Sequence, residues 1–146
     1  MLERTVFESI SHRHLVSVTP SVSVLQAVWV MTADNGGSVL VIDRAGVLQG
    51  ILTEHDLLTR VLAKGLSPQA TQVSAVMTRC PHTVEPEVKV AQAVLMMMEH
   101  GIGYLPVVSA ASRILGVFSG RDALPREIGD AVSLAEFNEQ VNDALA

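Results

Sequence analysis

Two stretches of the chain set a hydroxyl three residues ahead of a carboxylate: Thr53-Glu-His-Asp56 and Ser119-Gly-Arg-Asp122. Each follows a short apolar run and opens a segment of helical composition, so each reads as a strand-to-helix junction. Two chemistries fit that spacing. In one, the pair is a capping box: the hydroxyl accepts from a backbone N–H of the first helical turn, and the acid accepts from the N–H ahead of it. In the other, the same groups meet a ligand. The carboxylate accepts from both hydroxyls of a ribose diol, while the side-chain hydroxyl and the free N–H groups of the helix start hold phosphate, helped by the helix dipole. His55 and Arg121 each precede the acid, and from the first turn either could reach a phosphate. Arginine is the better fork and stays charged at any physiological pH. Arg13 and Arg79 lie the same distance ahead of the two stretches and are further candidates, against the plain alternative of solvated surface side chains.

A second cluster of ligating side chains is His12-x-His14 with Cys80-x-His82. On a strand, alternate residues share a face, so each pair could chelate, and four such ligands could hold zinc. The spacing matches no familiar finger, and no metal ligand is assigned. No nucleophile, base and acid stand at triad-like positions, and HExxH, GxSxG and Walker-type loops are absent from the sequence. The expectation is therefore a protein without catalytic turnover.

The elements that must carry these residues come from an internal repeat. Shifted by 66 positions, Val18-Thr-Pro20-Ser-Val22-Ser-Val24 falls on Val84-Glu-Pro86-Glu-Val88-Lys-Val90. Gln26-Ala27-Val28 falls on Gln92-Ala93-Val94, Met31 on Met97, Gly37 on Gly103, Val41 on Val107, Gly50 on Gly116 and Asp56 on Asp122. The match runs without a gap from Arg13/Arg79 to Leu58/Leu124, and it sets glycines, prolines and acids in register, which shared apolar patterning alone would not do. In each copy Val24, Ala27, Val28 and Met31, or Val90, Ala93, Val94 and Met97, make one apolar helix face. Ser21 or Ser23 can cap the first helix, and Asn35-Gly36-Gly37 and Gly101 supply stops. The apolar runs Val39–Ile42 and Leu105–Val108, then Val47–Leu52 and Ile114–Phe118, are strands joined by the turns Asp43–Gly46 and Ser109–Ser112. The order is strand, helix, strand, strand, helix. A unit of about 50–60 residues buries little surface by itself, so the two copies are expected to pack through their bare sheet faces about a pseudo-twofold axis. The Gly-, Ser-, Pro- and Gln-rich segment 63–75 reads as a linker. Ser133-Leu-Ala-Glu136 matches a capping box and opens a final helix whose stripe of Leu134, Phe137, Val141 and Leu145 closes the core or binds a second subunit.

These pieces together resemble a tandem pair of cystathionine β-synthase (CBS) domains. The likeness rests on Val76-Met-Thr78 ahead of the second copy, on Gly103-Tyr-Leu-Pro-Val-Val108, and on the pair Gly50-Ile-Leu-Thr-Glu-His-Asp56 and Gly116-Val-Phe-Ser-Gly-Arg-Asp122. It spans about residues 8–128. The resemblance implies an α/β (α+β) fold of two β-α-β-β-α lobes, a first motif over 1–62, a linker over 63–75, a second motif over 76–130 and a C-terminal helix over 131–146. It further implies a free-standing regulatory module that binds AMP, ADP, ATP or S-adenosylmethionine in clefts between the motifs, requires no cofactor, dimerises, and acts through a partner protein. The nucleotide-binding residues it implies are Thr53, Asp56, Ser119, Asp122, His55, Arg121, Arg13 and Arg79. Val18, Val39, Val84 and Leu105 would sandwich the purine, though they serve equally as plain core. Two departures bear on the clefts. Pro125 falls early in the last helix of the second copy, where it kinks or restarts that helix, and the first copy has no proline matching Pro106.

Composition bounds the partners. The net charge of −5 disfavours nucleic acid, which needs a basic surface. Cys80 is the lone cysteine, so no internal disulfide forms, as suits a reducing cytoplasm. The amino-terminal segment is too charged for a secretory signal, and the uncharged stretch Leu15–Ala33 alternates like a strand followed by a helix, so no membrane span is expected.

Overall fold

Ser23 rather than Ser21 caps the first repeat's helix: its hydroxyl accepts from the N–H of Gln26, and the Gln26 side chain returns a bond to the Ser23 N–H. From such local signals the chain builds α1 (Val6–Ile10), β1 (Ser17–Val18), α2 (Val24–Ala33), β2 (Ser38–Ile42), β3 (Leu48–Thr53) and α3 (Glu54–Asp56), which continues as a π-helical run over Leu57–Leu62. There follow β4 (Thr78–Arg79), α4 (Val90–His100), β5 (Tyr104–Val108), β6 (Ile114–Ser119) and α5 (Pro125–Leu145). This computed structural model describes residues 3–11, 13–34 and 36–145, so Asn35 and His12 lie outside the described residues. Contacts sort the chain into two units. Residues 14–82 form one; the chain up to residue 13 and from residue 83 onward forms the other.

In the unit of residues 14–82, four strands lie in the order β1-β2-β3-β4, with β1 parallel to β2 and the other pairs antiparallel. Val24, Ala27 and Met31 on α2 pack with Val39, Val41 and Leu52 of the sheet, and Val61, Val73, Val76 and Met77 complete that core. The segment read as a linker is tied down. Val73 is fully buried, the N–H groups of Val24 and Leu25 donate to the carbonyls of Thr71 and Pro68, and Val73 donates to Val22. Its carbonyls thus satisfy the first donors of α2, which a helix start must place somewhere.

In the other unit, β5 and β6 pair antiparallel and Val84 bridges Val107 in parallel. Phe118, Leu105 and Val107 pack against Val90, Ala93, Val94 and Met97 of α4, with Val6 and Ile10 of α1 and Ala131 of α5. Here Arg4 and Val6 do for α4 what the linker does for α2: Val90 N–H donates to Arg4, and Val6 N–H donates to Val88.

The repeat holds pair by pair. Ser38–Thr53, Val39–Leu52, Leu40–Ile51, Val41–Gly50 and Ile42–Leu48 recur 66 residues on as Tyr104–Ser119, Leu105–Phe118, Pro106–Val117, Val107–Gly116 and Val108–Ile114, bulge included. At the turn between the strands, Gly46 takes φ +83°, and its counterpart Ser112 takes φ +64°. The left-handed conformation is easy for glycine and unusual for serine.

The helical ends differ from the sequence expectation in one respect. Ser133 does not open a helix; it lies inside α5, which runs unbroken from Pro125 to Leu145. Pro125 restarts the chain as anticipated: after the 3-10 turn Gly120–Asp122, Ala123 is extended, and α5 begins at the proline. A proline is preorganised for a first helical position, and once a helix is nucleated its propagation is easier than a second start.

Candidate functional site

Asp56 is 3% exposed, at the junction where β3 gives way to α3. Its Oδ2 accepts from the Thr53 N–H at 2.9 Å and the Thr53 hydroxyl at 3.1 Å, and its own N–H donates to Thr53 Oγ1 at 3.3 Å. The capping box read from the sequence is therefore made. The Glu54 N–H is also engaged, by the Gly37 carbonyl at 3.0 Å. Oδ1 of Asp56 points away from the cap and accepts from the Thr78 hydroxyl at 3.1 Å, with Arg60 Nε at 3.7 Å. Arg60 in turn donates to the carbonyl oxygens of Met77 at 2.9 Å and Val76 at 3.3 Å. One arginine thus spans from the helix to the segment that leads into the strand carrying Thr78.

Asp122 repeats the geometry with a different second partner. Its side chain is fully buried. Oδ2 accepts from the Ser119 N–H at 2.8 Å and the Ser119 hydroxyl at 3.3 Å. Oδ1 is met by the guanidinium of Arg13, an ion pair that reaches in from a partly exposed side chain. A neighbouring clamp fixes the backbone. Arg4 donates to Glu127 through Nε at 3.1 Å and a terminal nitrogen at 2.7 Å, and to the Asp122 carbonyl at 2.9 Å. Glu127 also accepts from the Leu124 N–H at 2.7 Å and so caps α5. The hydrogen bonds from Arg4 hold the Glu127 carboxyl below its ordinary range; burial pushes it upward, and the Leu124 N–H adds to the lowering. Arg4 is shifted upward by the same bond.

The remaining sequence candidates fall as follows. His55 and Arg121 are exposed on the first turns beside their acids. Arg79 donates to the Ser74 carbonyl at 2.9 Å, and Thr78 rather than Arg79 meets Asp56. Arg13 and Arg79, equivalent in sequence, therefore take different partners. Val39, Val84 and Leu105 are buried within the hydrophobic cores, and Val18 packs against one of them. Sequence reasoning missed Arg60, Thr78, Arg4 and Glu127. Arg60 had a signal, four residues past Asp56 on one helix, where opposite charges meet. The Arg4–Glu127 pair, 123 residues apart, had none.

Among the described residues no group of three or more His, Cys, Asp or Glu side chains is placed to hold a metal ion. Of the proposed quartet, His12 lies outside the described residues; Cys80 is exposed with φ +45°. Among the described residues no helix is long and apolar enough to cross a membrane.

Comparison with known proteins places these features in a family. The family model described as "CBS domain" matches twice, over residues 7–63 and 73–127. The chain is similar to the uncharacterised protein MK0525 of Methanopyrus kandleri, 27% identical over 118 residues, covering 81% of this chain and 60% of that protein. It is also similar to the CBS domain-containing protein CBSCBSPB2 of Arabidopsis thaliana, 36% identical over 144 residues, covering 99% of this chain and 23% of that one. The chain thus spans less than two thirds of the length of either relative. Among solved structures, the CBS domain protein PAE2072 from Pyrobaculum aerophilum complexed with AMP shares the fold at a TM-score of 0.78, with 22% identity, 89% of this chain covered and 98% of that one.

Proposed function

The chain belongs to the CBS-domain family, and on that premise we propose that it is a regulatory module that binds an adenosine nucleotide and reports its occupancy to a partner protein. One observation carries the reading: each unit sets a buried carboxylate, its cap made by Thr53 or Ser119, at the end of a strand, with one further oxygen turned away from the cap. That oxygen is the acceptor a ribose diol needs. That a protein of the same fold was solved with AMP supports adenine as the base. The ligand is AMP, ADP, ATP or S-adenosylmethionine, held through Asp56, Asp122 or both. The module turns over no nucleotide, because hydrolysis needs a positioned base and an activated nucleophile. Exposed apolar side chains such as Trp29, Phe137 and Leu145 favour a homodimer.

A second reading has an observation of its own. The outer oxygens already have internal partners, Thr78 for Asp56 and Arg13 for Asp122, so both acids can be purely structural caps. Calorimetric titration separates the two. AMP should bind several-fold more tightly than 2′-deoxy-AMP, and Asp56→Asn and Asp122→Asn should each weaken AMP binding. Equal affinities for the ribo and deoxy ligands, with both variants binding like the parent, would leave only the structural module.

A further inference from the structure

We propose that Arg13 is a built-in occupant of the Asp122 site, so that a ligand opens that site only if it brings a phosphate to receive the displaced guanidinium. The proposal rests on the reading of Asp122 as a nucleotide-binding acid and fixes the chemical class of ligand that this acid accepts.

The carboxylate of Asp122 has no exposed surface, and one of its oxygens is committed to Ser119. The other is held by Arg13. A diol that took this oxygen would replace a charge-assisted contact with neutral hydroxyls, which bind about half as strongly. It would also leave a buried carboxylate without its cation, the arrangement that destabilises most. A nucleoside offers nothing to offset that loss. A nucleotide does. The Arg13 side chain is 34% exposed, so the guanidinium can leave the carboxylate without crossing the core. A phosphate offers it the bidentate partner that its planar fork fits. In the exchange the carboxylate passes from guanidinium to diol and the guanidinium from carboxylate to phosphate. Each keeps a polar partner, and the cation never loses an anionic one.

Asp56 is built otherwise. Its outer oxygen has a neutral hydroxyl at 3.1 Å and a guanidinium nitrogen only at 3.7 Å, and Arg60 also donates to two backbone carbonyls. A diol arriving there displaces a hydroxyl of its own kind. The phosphate requirement is therefore a property of Asp122 and not of the motif.

The test is calorimetric titration of the full chain with AMP and with adenosine. Asp56→Asn reports the Asp122 site, and Asp122→Asn reports the Asp56 site. The AMP-to-adenosine affinity ratio should be larger in Asp56→Asn than in Asp122→Asn by on the order of tenfold. Adding Arg13→Gln to Asp56→Asn should tighten adenosine and collapse that ratio, whereas Arg13→Lys, which keeps the charge, should retain most of it. Equal ratios at the two sites, or an adenosine affinity that ignores Arg13→Gln, overturn the proposal. The first comparison needs no change at Arg13 and holds even if that variant folds poorly. If AMP fails to bind Asp56→Asn at all, the reading of Asp122 as a ligand site falls and takes the proposal with it.

Discussion

Thr78 donates its hydroxyl to Asp56 Oδ1 at 3.1 Å, although Thr78 opens the second sequence repeat and Asp56 closes the first. The reason is topological. β4, which carries Thr78, pairs with β3, setting Thr78 opposite Ile51 and Arg79 opposite Gly50. The start of the chain behaves alike: Arg13 meets Asp122, the acid of the second repeat. The leading segment of each repeat completes the acid of the other, so a repeat taken alone holds an unfinished site.

Thr78→Val keeps the shape of the side chain and removes the hydroxyl. The Asp56 oxygen then loses its nearest donor in a buried position, which should cost about 1–3 kcal/mol. Thermal or urea denaturation should show the loss, and Thr78→Ser should recover most of it. A valine variant as stable as the parent would mean that Arg60 or water satisfies the oxygen unaided.

Gly50→Ala should be worse than a helix-propensity or surface change. A Cβ at Gly50 would stand 2.6 Å from the Thr78 carbonyl oxygen and 2.9 Å from Met77 Sδ. The sulfur can turn aside, but the carbonyl belongs to β4, so the strand itself must move. A loss of about 1–3 kcal/mol is expected from such overpacking. The shift should also weaken the Thr78 contact, so that Gly50→Ala with Thr78→Val is less damaging than the sum of the two. Strict additivity in a double-mutant cycle would show that the strand had not moved.

The Arg4–Glu127 pair should make stability depend on pH. Hydrogen bonds from Arg4 hold the folded Glu127 carboxyl below its ordinary value of 4.5. Its contribution is therefore complete above the unfolded value and is lost as pH falls through the lower folded value. Arg4→Met should destabilise the protein by about 1–3 kcal/mol at neutral pH. The gap between parent and variant should narrow as the pH falls below about 4, leaving the part that belongs to the Arg4 bond to the Asp122 carbonyl. Urea titrations at pH 7, 5 and 3 check this. A gap that stays constant over that range would contradict the role given to the ion pair.

Much of the architecture was legible because the chain states it twice. The 66-residue shift anticipates each cross-strand pair of the two hairpins, since alternating burial and the turn residues fix register locally. The capping boxes at Thr53 and Ser119 were equally legible, because their partners lie three residues apart. What was not legible is where the outer carboxylate oxygens look. Arg13 and Arg79 are sequence equivalents, yet only Arg13 reaches an acid. The register slips ahead of them: Val73 N–H bonds to Val22 and Val6 N–H bonds to Val88, a shift of 67 on the donor side against 66 on the acceptor side. One extra residue between Val6 and Arg13 changes which side chain arrives at the carboxylate. A gapless self-comparison that begins at Arg13 cannot see it.

The misreading at Ser133 has a local cause, a four-residue pattern that can also fall inside a helix, and a single substitution shows the sign. As a helix cap, Ser133 would stabilise the start of a helix, and Ser133→Ala would cost about 1 kcal/mol. In the structure Ser133 is exposed on an α5 that has already begun at Pro125. There its hydroxyl has no helix start to serve, and alanine has the higher helix propensity by about half a kcal/mol. Ser133→Ala should therefore raise the melting temperature slightly. The capping loss belongs instead to Glu127, whose side chain takes the Leu124 N–H. Glu127→Ala should destabilise the protein by more than the cap alone, because it also strands Arg4. A lower melting temperature for Ser133→Ala would mean that α5 breaks between Pro125 and Ser133 and that the shorter helix is the right one.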